Sequence, residues 1–317
     1  MSAGALRIAT RKSPLALWQA ECVRSLLASR GHEATLVRLS TGGDRVVDRP
    51  LAEVGGKGLF VKELEDALTD GRADLAVHSA KDVPFALPSG FALCAFPARE
   101  DPRDALVAPQ ARSFEELPRG ARVGTSSLRR AVQLLAARPD LEIVPVRGNV
   151  QTRLSRAADG SLDAVVLALA GLRRLGLEEH VTQVLPLELS LPAAGQGALA
   201  IEAREGSRGF SAASPLDDVA TSRCVRAERA LLARLAGSCT VPLAAYAVNE
   251  GAGLYLRAVL GGPDGKEGVR LLRAEARGEE PHALGVRVAE ALLDGGGGAL
   301  LEATRAAAGG LPAPKRA

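Results

Sequence analysis

The sequence has few aromatic residues and almost no excess of charge of either sign. Phe, Trp and Tyr make up 3% of its 317 residues, so Leu, Val, Ile and Ala must build most of the core. Forty basic residues against thirty-seven acidic ones leave a formal net charge of +3. A protein that binds nucleic acid through its phosphates normally shows a basic stripe or tail, and none is visible. We therefore expect no nucleic-acid partner.

The sequence also lacks long apolar runs and paired cysteines. Residues 1–7 carry no apolar core of a signal peptide, and the central apolar stretch 164–172 is about half a membrane span. The four cysteines form no C-x-x-C pair and have no histidine at metal-ligand spacing; they are Cys22, Cys94, Cys224 and Cys239. These absences predict a cytoplasmic protein with no metal and no membrane partner.

Alternating strand and helix patterns predict two α/β units. At roughly 150 residues per domain, the length suggests two or three domains. Strand patterns at 6–10, 34–39 and 74–78 alternate with helical ones, and the alternation restarts after the proline-bracketed stretch 97–102. The later strands are predicted at 105–108, 122–124, 141–146 and 164–168, and the helices between them at 128–137 and 150–158. Such alternation is typical of largely parallel sheets with helices on their faces.

The pattern changes near residue 217. A helix at 225–235 is followed by strand-like runs and a second helix, predicted at 243–248, 254–260, 269–276 and 283–293. We therefore expect a further unit of mixed α and β structure to begin at about residue 217.

Cationic residues follow five of the predicted strands. In chain order they are Arg11, Lys81, Arg129 with Arg130, Arg147, and Arg173 with Arg174. Ligands of open parallel sheets bind beyond the C-terminal ends of the strands, and the free N–H groups of helix N-termini favour anions. Five such strand ends together predict a cleft between two α/β domains for a ligand with many carboxylates or phosphates.

Most of these motifs also have a simpler structural interpretation. The run 125–127 (Thr-Ser-Ser) is more often only a helix N-cap, and paired arginines can be solvated helix faces. The run 55–58 (Gly-Gly-Lys-Gly) lacks the spacing of a phosphate-binding P-loop, and His78 on an apolar strand is more often packed than a ligand. The neighbouring Lys81 and Asp82 favour chemistry over a simple loop ion pair, because an Asp there can stabilise a developing cation or move a proton.

Cys239 differs from the other cysteines in its context. It lies in a turn before a predicted strand, whereas the other three lie in helix-like or strand-like runs. A thiol in a loop is accessible, and its thiolate is a strong nucleophile. Single cysteines are more often small buried apolar residues, so the residues alone leave both interpretations open.

Seven longer segments match one known family, in order and over nearly the whole chain. They are RIATRKSPLAL (7–17), VGGKGLF (54–60), AVHSAKDVP (76–84), REDPRD (99–104), GTSSLRR (124–130), RGNV (147–150) and LPAAGQG (191–197). Together they resemble the porphobilinogen deaminase family, also called hydroxymethylbilane synthase. Two positions depart from its pattern: Glu53 stands where many relatives have Lys, and Ser238 where Gly is usual.

The resemblance implies an α/β fold and a transferase. Two lobes like those of periplasmic binding proteins, 1–98 with 198–216 and 102–193, would precede a small α+β domain at 217–317. The cysteine of that domain, matched by Cys239, would hold one dipyrromethane cofactor through a thioether. Four porphobilinogen units are joined head to tail onto the cofactor with loss of ammonia. Hydroxymethylbilane is then hydrolysed off for tetrapyrrole (haem-type) biosynthesis. A monomer is expected, and the alternative class is a bilobal small-anion-binding or ligand-sensing module without chemistry.

The resemblance also implies roles for single residues. Asp82 would be catalytic, facing the pyrrole N–H groups and supporting the positive charge that appears when ammonia leaves. Besides the attachment at Cys239, the cofactor would contact Lys81, Asp82, Thr125, Ser127, Arg129 and Arg130. Substrate and the growing chain would contact Arg11, Ser13, Lys57, Phe60, Arg147, Arg153, Arg174 and Gln196.

Overall fold

The computed structural model describes residues 4–40, 61–235, 241–264 and 268–306. Within these ranges the strands form two sheets of five strands and one of three. The strands are β1 (Leu6–Arg11), β2 (Ala34–Leu39), β3 (Leu75–Ser79), β4 (Phe91–Ala95), β5 (Asp104–Val107), β6 (Arg122–Gly124), β7 (Glu142–Val144), β8 (Ala164–Ala168), β9 (Gln183–Val184), β10 (Leu199–Arg204), β11 (Leu243–Glu250), β12 (Gly253–Asp264) and β13 (Gly268–Gly278). The helices are α1 (Pro14–Ala28), α2 (Lys62–Thr69), α3 (Leu128–Ala137), α4 (Val150–Ala158), α5 (Leu169–Arg174), α6 (Arg208–Ala213), α7 (Val219–Arg234), α8 (Pro281–Leu292) and α9 (Gly298–Ala306).

The two five-stranded sheets share one topology. The first has the order β2-β1-β3-β10-β4 and the second the order β7-β6-β8-β5-β9. In each sheet the first three strands are parallel, and the fourth is antiparallel to both of its neighbours. The alternation of patterns predicted largely parallel sheets. The strands β5 and β10 are antiparallel to their neighbours because each follows a crossover of the chain from one lobe to the other, and not a strand–helix–strand unit. The first crossover is 96–103, between β4 and β5, and the second crossover is 185–198, between β9 and β10.

The first helix shows how local sequence places a helix N-terminus at the edge of a sheet. Ser13 caps α1 by accepting a backbone N–H bond one turn on, and Pro14 occupies the first turn. Ala20, Val23 and Leu27, spaced three and four residues apart, pack into the core of the first lobe. The helix therefore starts directly beyond the C-terminal end of β1.

The third sheet is an antiparallel meander in the order β11-β12-β13, against which α7 and α8 pack. The helix α7 begins at Val219, before the predicted start at 225, because the side chain of Asp218 caps it by accepting from Thr221 N at 2.8 Å. Gly285 of α8 lies against the Ala227 carbonyl, which leaves no room for a Cβ atom. The two helices can therefore cross closely.

The predicted architecture is confirmed: two α/β lobes precede a small α+β domain. The helices predicted at 128–137 and 150–158 are α3 and α4 with unchanged bounds. The short elements β9, α6 and α9 have no counterpart among the predictions; α9 directly follows a run of glycines, which are poor helix formers. The residue bounds of the three domains stay a prediction.

Across the described ranges, no helix combines enough length with enough apolar character to cross a membrane.

Candidate functional site

A buried carboxylate joins the two arginines at the start of α3. Asp104, the first residue of β5, is fully buried and accepts from Arg129 Nη1 and from Arg130 Nη2, each at 2.7 Å. Arg130 also donates through Nε at 3.1 Å. Burial alone would raise the Asp104 pKa, but the two guanidinium groups hold it well below its usual range. Two positive charges share one negative charge, so a positive charge is left over.

Further hydrogen bonds connect Asp104 to the first lobe. Ser190 Oγ and Gln196 Nε2 each donate to its carboxylate at 2.8 Å. Gln196 Nε2 also donates to Pro102 O at 2.6 Å, and its Oε1 accepts from Lys81 Nζ at 3.3 Å. Asp104, Gln196 and Lys81 therefore form a chain of contacts from the second lobe, across the second crossover, to the first lobe.

Lys81 lies in the short 3₁₀ turn Ala80–Asp82 that follows β3. Burial, together with the charge of Arg130, lowers its pKa to about 8, although the charges of Asp82 and Asp104 act in the opposite direction. A lysine pKa lowered in this way means that the ammonium has too little negative charge around it. A carboxylate added beside Lys81 would therefore be bound favourably.

One buried donor at this site also needs an acceptor. Arg129 is 5% exposed, and its Nη1 additionally donates to Leu191 O at 2.8 Å. Its Nε is buried and has no hydrogen-bond partner within the described part of the chain. Burial lowers the Arg129 pKa, and a buried donor without an acceptor is costly. The site thus fits a ligand that brings carboxylate oxygens.

Thr125 and Ser127 shape the N-terminus of α3. Ser127 caps the helix, with its Oγ accepting from Arg130 N at 3.5 Å, and Thr125 Oγ1 accepts from Ser127 N at 3.1 Å. Both hydroxyls therefore have the simpler capping and turn roles noted in the sequence. Each can still donate its own hydrogen, and their contact with a cofactor stays a prediction.

Arginines of the second lobe lie near Asp82 of the first lobe. Burial, together with the charge of Arg130, lowers the pKa of Arg153; Arg147 adds to this effect and Asp82 opposes it. Arg153 Nε donates to Gly148 O at 3.1 Å, which holds this side chain at the start of α4. The Asp82 side chain is exposed. The Asp82 carboxylate of the first lobe therefore lies close to Arg153 of the second lobe.

Asp82 and Arg11 line the same small cavity at the C-terminal ends of β3 and β1. Its wall also contains Gln19 and Ser79, and Gln19 Nε2 donates to Ser79 Oγ at 2.8 Å. His78 lines the cavity from the strand and is itself buried. The structure therefore brings together the ends of the first and third strands, as the sequence pattern predicts.

Arg174, at the C-terminal end of α5, connects the second lobe to the first. Its Nη2 donates to Gly197 O at 2.5 Å, and its guanidinium carbon lies 5.6 Å from the centre of the Trp18 ring. Burial lowers the Arg174 pKa. Trp18 on α1 is 41% exposed, which is unusual for so large an apolar side chain. Arg174 is thus held between the second crossover and an exposed aromatic ring.

Three of the predicted site residues cannot be placed. Lys57, Phe60 and Cys239 lie outside the described residues, as does Glu53. Ser13 is described, and its Oγ caps α1; a contact of Ser13 with substrate stays a prediction.

Sequence reasoning missed Asp104 and the residues around it. Gln133 supports the same site, since its Nε2 donates to Leu191 O at 3.1 Å and its Oε1 accepts from Leu191 N at 2.8 Å. A signal for Asp104 was available, because an acid that begins an apolar strand must be neutralised when the strand is buried. The two neighbouring arginines at 129–130 are suitable partners.

The fold and the site define a class of protein: a bilobal α/β protein with a third domain, whose lobes meet at a cationic site suited to a polycarboxylate ligand. Comparison with known families narrows this class. Residues 6–212 match the family described as "Porphobilinogen deaminase, dipyromethane cofactor binding domain", and residues 222–294 match "Porphobilinogen deaminase, C-terminal domain". The chain belongs to the porphobilinogen deaminase family.

A relative of high sequence identity agrees with this assignment. Porphobilinogen deaminase of Syntrophotalea carbinolica is 52% identical over 306 residues, which is 96% of this chain and 97% of that protein. Among solved structures, the methionine binding protein MetQ has a TM-score of 0.43 at 14% identity, over 67% of this chain and 89% of MetQ. The aliphatic sulphonate binding protein SsuA of Escherichia coli has a TM-score of 0.40 at 18% identity, over 73% of this chain and 70% of SsuA.

Proposed function

We propose that this protein is a transferase that joins four porphobilinogen molecules head to tail, with loss of ammonia, and releases hydroxymethylbilane by hydrolysis. Membership of the family supports this proposal. The structural observation that carries it is the excess of positive charge where the lobes meet, with Lys81, Arg129 and Arg130 around the buried carboxylate of Asp104. Porphobilinogen carries an acetate and a propionate, so this excess suits a chain of such rings.

The same cluster supports the binding of a dipyrromethane cofactor, which when bound supplies the ring carbon to which the first substrate is joined. Lys81, Arg129 and Arg130 would pair with its carboxylates, and the buried Nε of Arg129 lacks an acceptor in the described chain. Thr125 and Ser127 would donate their hydroxyl hydrogens at the start of α3. Attachment through a thioether at Cys239 belongs to the proposal.

Asp82 would stabilise positive charge that forms on the substrate. Its carboxylate opposes the lowering of the pKa values of both Lys81 and Arg153, so it lies close to the cations of both lobes. When ammonia leaves, the aminomethyl carbon becomes electron-poor, and a fixed carboxylate stabilises that charge. Asp82 would then take up the proton released from the ring carbon at which the new C–C bond forms.

Substrate and the growing chain would contact side chains from several strand ends. An Arg–carboxylate pair at ~4 Å is worth about 1 kcal/mol in bulk water and about 4 kcal/mol near a protein surface. Many such contacts can hold a long chain without fixing any one ring. We assign them to Arg11, Ser13, Lys57, Phe60, Arg147, Arg153, Arg174 and Gln196.

The proposal includes the setting in which the protein works. We propose a monomeric, cytoplasmic enzyme of tetrapyrrole biosynthesis without a nucleic-acid or membrane partner. The low net charge of +3 supports the absence of a nucleic-acid partner. The predicted domain bounds, 1–98 with 198–216, 102–193 and 217–317, are part of the same proposal.

The Asp82→Asn variant tests the proposal when its mass and its turnover are measured together. We expect both wild type and variant to be heavier than their sequences by two linked pyrrole rings, because Asp82→Asn keeps the cationic cluster. Turnover of the variant should fall roughly 10²–10⁴-fold, the range for a positioned acid–base group. The control, Cys239→Ser, should carry no added mass and be inactive.

Three results would count against this function. Wild-type protein that releases no ammonia from porphobilinogen would favour the small-anion-binding module. An unmodified but active protein would refute the cofactor. Turnover of Asp82→Asn close to that of wild type would reassign Asp82 to a structural ion pair.

A further inference from the structure

One side chain of the third domain binds the loop that follows Asp82. Arg229, on α7, donates through Nη1 to Val83 O at 3.1 Å, and through Nη2 to Pro84 O at 2.7 Å and Phe85 O at 3.4 Å. Burial lowers the Arg229 pKa. A planar guanidinium with several fixed N–H donors can hold three successive carbonyls in one geometry. The first of these carbonyls belongs to the residue directly after Asp82.

The residue before Arg229 binds the crossovers. Glu228 is fully buried, and its carboxylate accepts from Arg99 Nη1 at 2.7 Å, from Gly195 N at 2.6 Å and from Ala247 N at 2.9 Å. Arg99 lies in the first crossover and Gly195 in the second. A single turn of α7 therefore contacts both connections between the lobes as well as the loop beyond Asp82.

The second crossover in turn lies against the segment that carries Lys81 and Asp82. Gly195 has a φ of +73°, and a Cβ atom there would lie 3.0 Å from the Ala80 Cβ and 3.1 Å from Lys81 N. Ala80 N also donates to Ala198 O at 3.0 Å. The segment is thus bounded by the crossover on one side and by Arg229 at its end.

The Asp82 side chain is exposed, so the place of its carboxylate depends on how well its backbone is held. We propose that Arg229 is a positioning residue, through which the third domain fixes the backbone of Asp82 relative to the cations of both lobes. This inference rests on the proposed role of Asp82. A misplacement of about 1 Å in a catalytic group can cost about 10²-fold in rate, so loss of this clamp should appear mainly in kcat.

The matched pair Arg229→Gln and Arg223→Gln tests the inference. Arg223 lies on the same helix and also donates to carbonyls, those of Ala252 and Glu279, but both belong to the third domain. Hydrogen exchange of the backbone amides in residues 80–87 should be at least about tenfold faster in Arg229→Gln and unchanged in Arg223→Gln. This readout needs no activity, so it separates a failure of the clamp from a failure of the proposed function.

Steady-state kinetics supply the second readout. In Arg229→Gln, kcat should fall about 10- to 100-fold, while KM changes by less than about threefold, because the cations that bind carboxylates are untouched. The kcat of Arg229→Lys should lie between those of wild type and Arg229→Gln, since one ammonium cannot span three carbonyls. This variant serves as the test if Arg229→Gln does not fold. The inference would be overturned by unchanged hydrogen exchange in residues 80–87 of Arg229→Gln, or by faster exchange there with unchanged kcat. Equal losses of kcat in Arg229→Gln and Arg223→Gln would overturn it as well.

Discussion

Replacing Asp104 with asparagine removes a negative charge from between two buried guanidinium groups while keeping the size of the side chain. Asp104 is fully buried, and both Arg129 and Arg130 are 5% exposed. Breaking a buried ion pair by removing one partner costs about 3–5 kcal/mol, because the remaining charge is left without compensation. The asparagine amide would also turn an N–H group toward a guanidinium, or give up one of the bonds from Ser190 and Gln196.

We therefore expect Asp104→Asn to lower the free energy of unfolding by about 3–5 kcal/mol. At roughly 2 cal/mol/K of unfolding entropy per residue, a chain of 317 residues shifts by about 1.5 °C per kcal/mol, so the midpoint of thermal unfolding should fall by roughly 4–8 °C. Scanning calorimetry measures this directly. Intact mass should show reduced cofactor occupancy as well, because Arg129 and Arg130 lose the group that holds them at the start of α3.

Asp70→Asn is the matched control. Asp70 pairs with Arg72 at 3.2 Å, and their side chains are 58% and 50% exposed. Surface pairs of this kind contribute about 0–1 kcal/mol, so Asp70→Asn should unfold within about 2 °C of wild type. If the two variants unfolded at the same temperature, the charge balance that we assign to Asp104 would be refuted.

Two further predictions concern the acid stability of the first lobe and its contact with the second. Burial alone would raise the Asp74 pKa, but hydrogen bonds from Arg208 and Arg7 lower it to about 2. Asp74 therefore adds about 1–2 kcal/mol to the free energy of unfolding above pH ~4, after a discount for solvent screening, and this contribution is lost as the pH falls through 2. Asp74→Asn should flatten this part of the curve of stability against pH, and a curve like that of wild type would contradict the prediction. The sequence has one Trp, so the protein's tryptophan emission reports on Trp18 alone. Arg174→Gln removes the guanidinium beside the ring and should shift the emission maximum to longer wavelength, whereas the control Arg173→Gln should not. Identical emission spectra of the two variants would show that the contact of Arg174 with the ring is absent in solution.

Local signals explain why parts of the fold are predictable from the sequence. Ser127 is an N-cap followed by apolar residues at helical spacing, and α3 has the predicted bounds. Asn149 caps α4 in the same way, accepting from Thr152 N. The strand ends with their cations also follow from local pattern, because the C-terminal ends of parallel strands meet at one edge.

Contacts between distant residues were beyond the reach of these signals. The pairing of β10 with β3 and β4 joins residues more than a hundred positions apart, and nothing within 199–204 indicates which sheet it enters. Asp104 contacts Arg129 and Arg130 only because β5 enters the second sheet beside β8. Arg229 on its helix has no local feature that points to the loop after Asp82. The resemblance supplied site residues, but not the geometry that links them.

The shared topology of the two lobes has a consequence for the order in which they form during synthesis. The strands of the second sheet all lie between residues 104 and 184, so that sheet can close as soon as this stretch has emerged. The first sheet lacks its fourth strand until β10 has been made. Until then β3 has an open edge, and β4 has no sheet neighbour among the described strands.

That interval spans the whole second lobe. Roughly 95 residues separate the start of β5 from the start of β10, and at 5–20 residues per second they take about 5–20 s to synthesise. The lobe that begins the chain is therefore the later of the two to close its sheet. Its unpaired strand edges are the part of the nascent chain most exposed to wrong pairing with other chains.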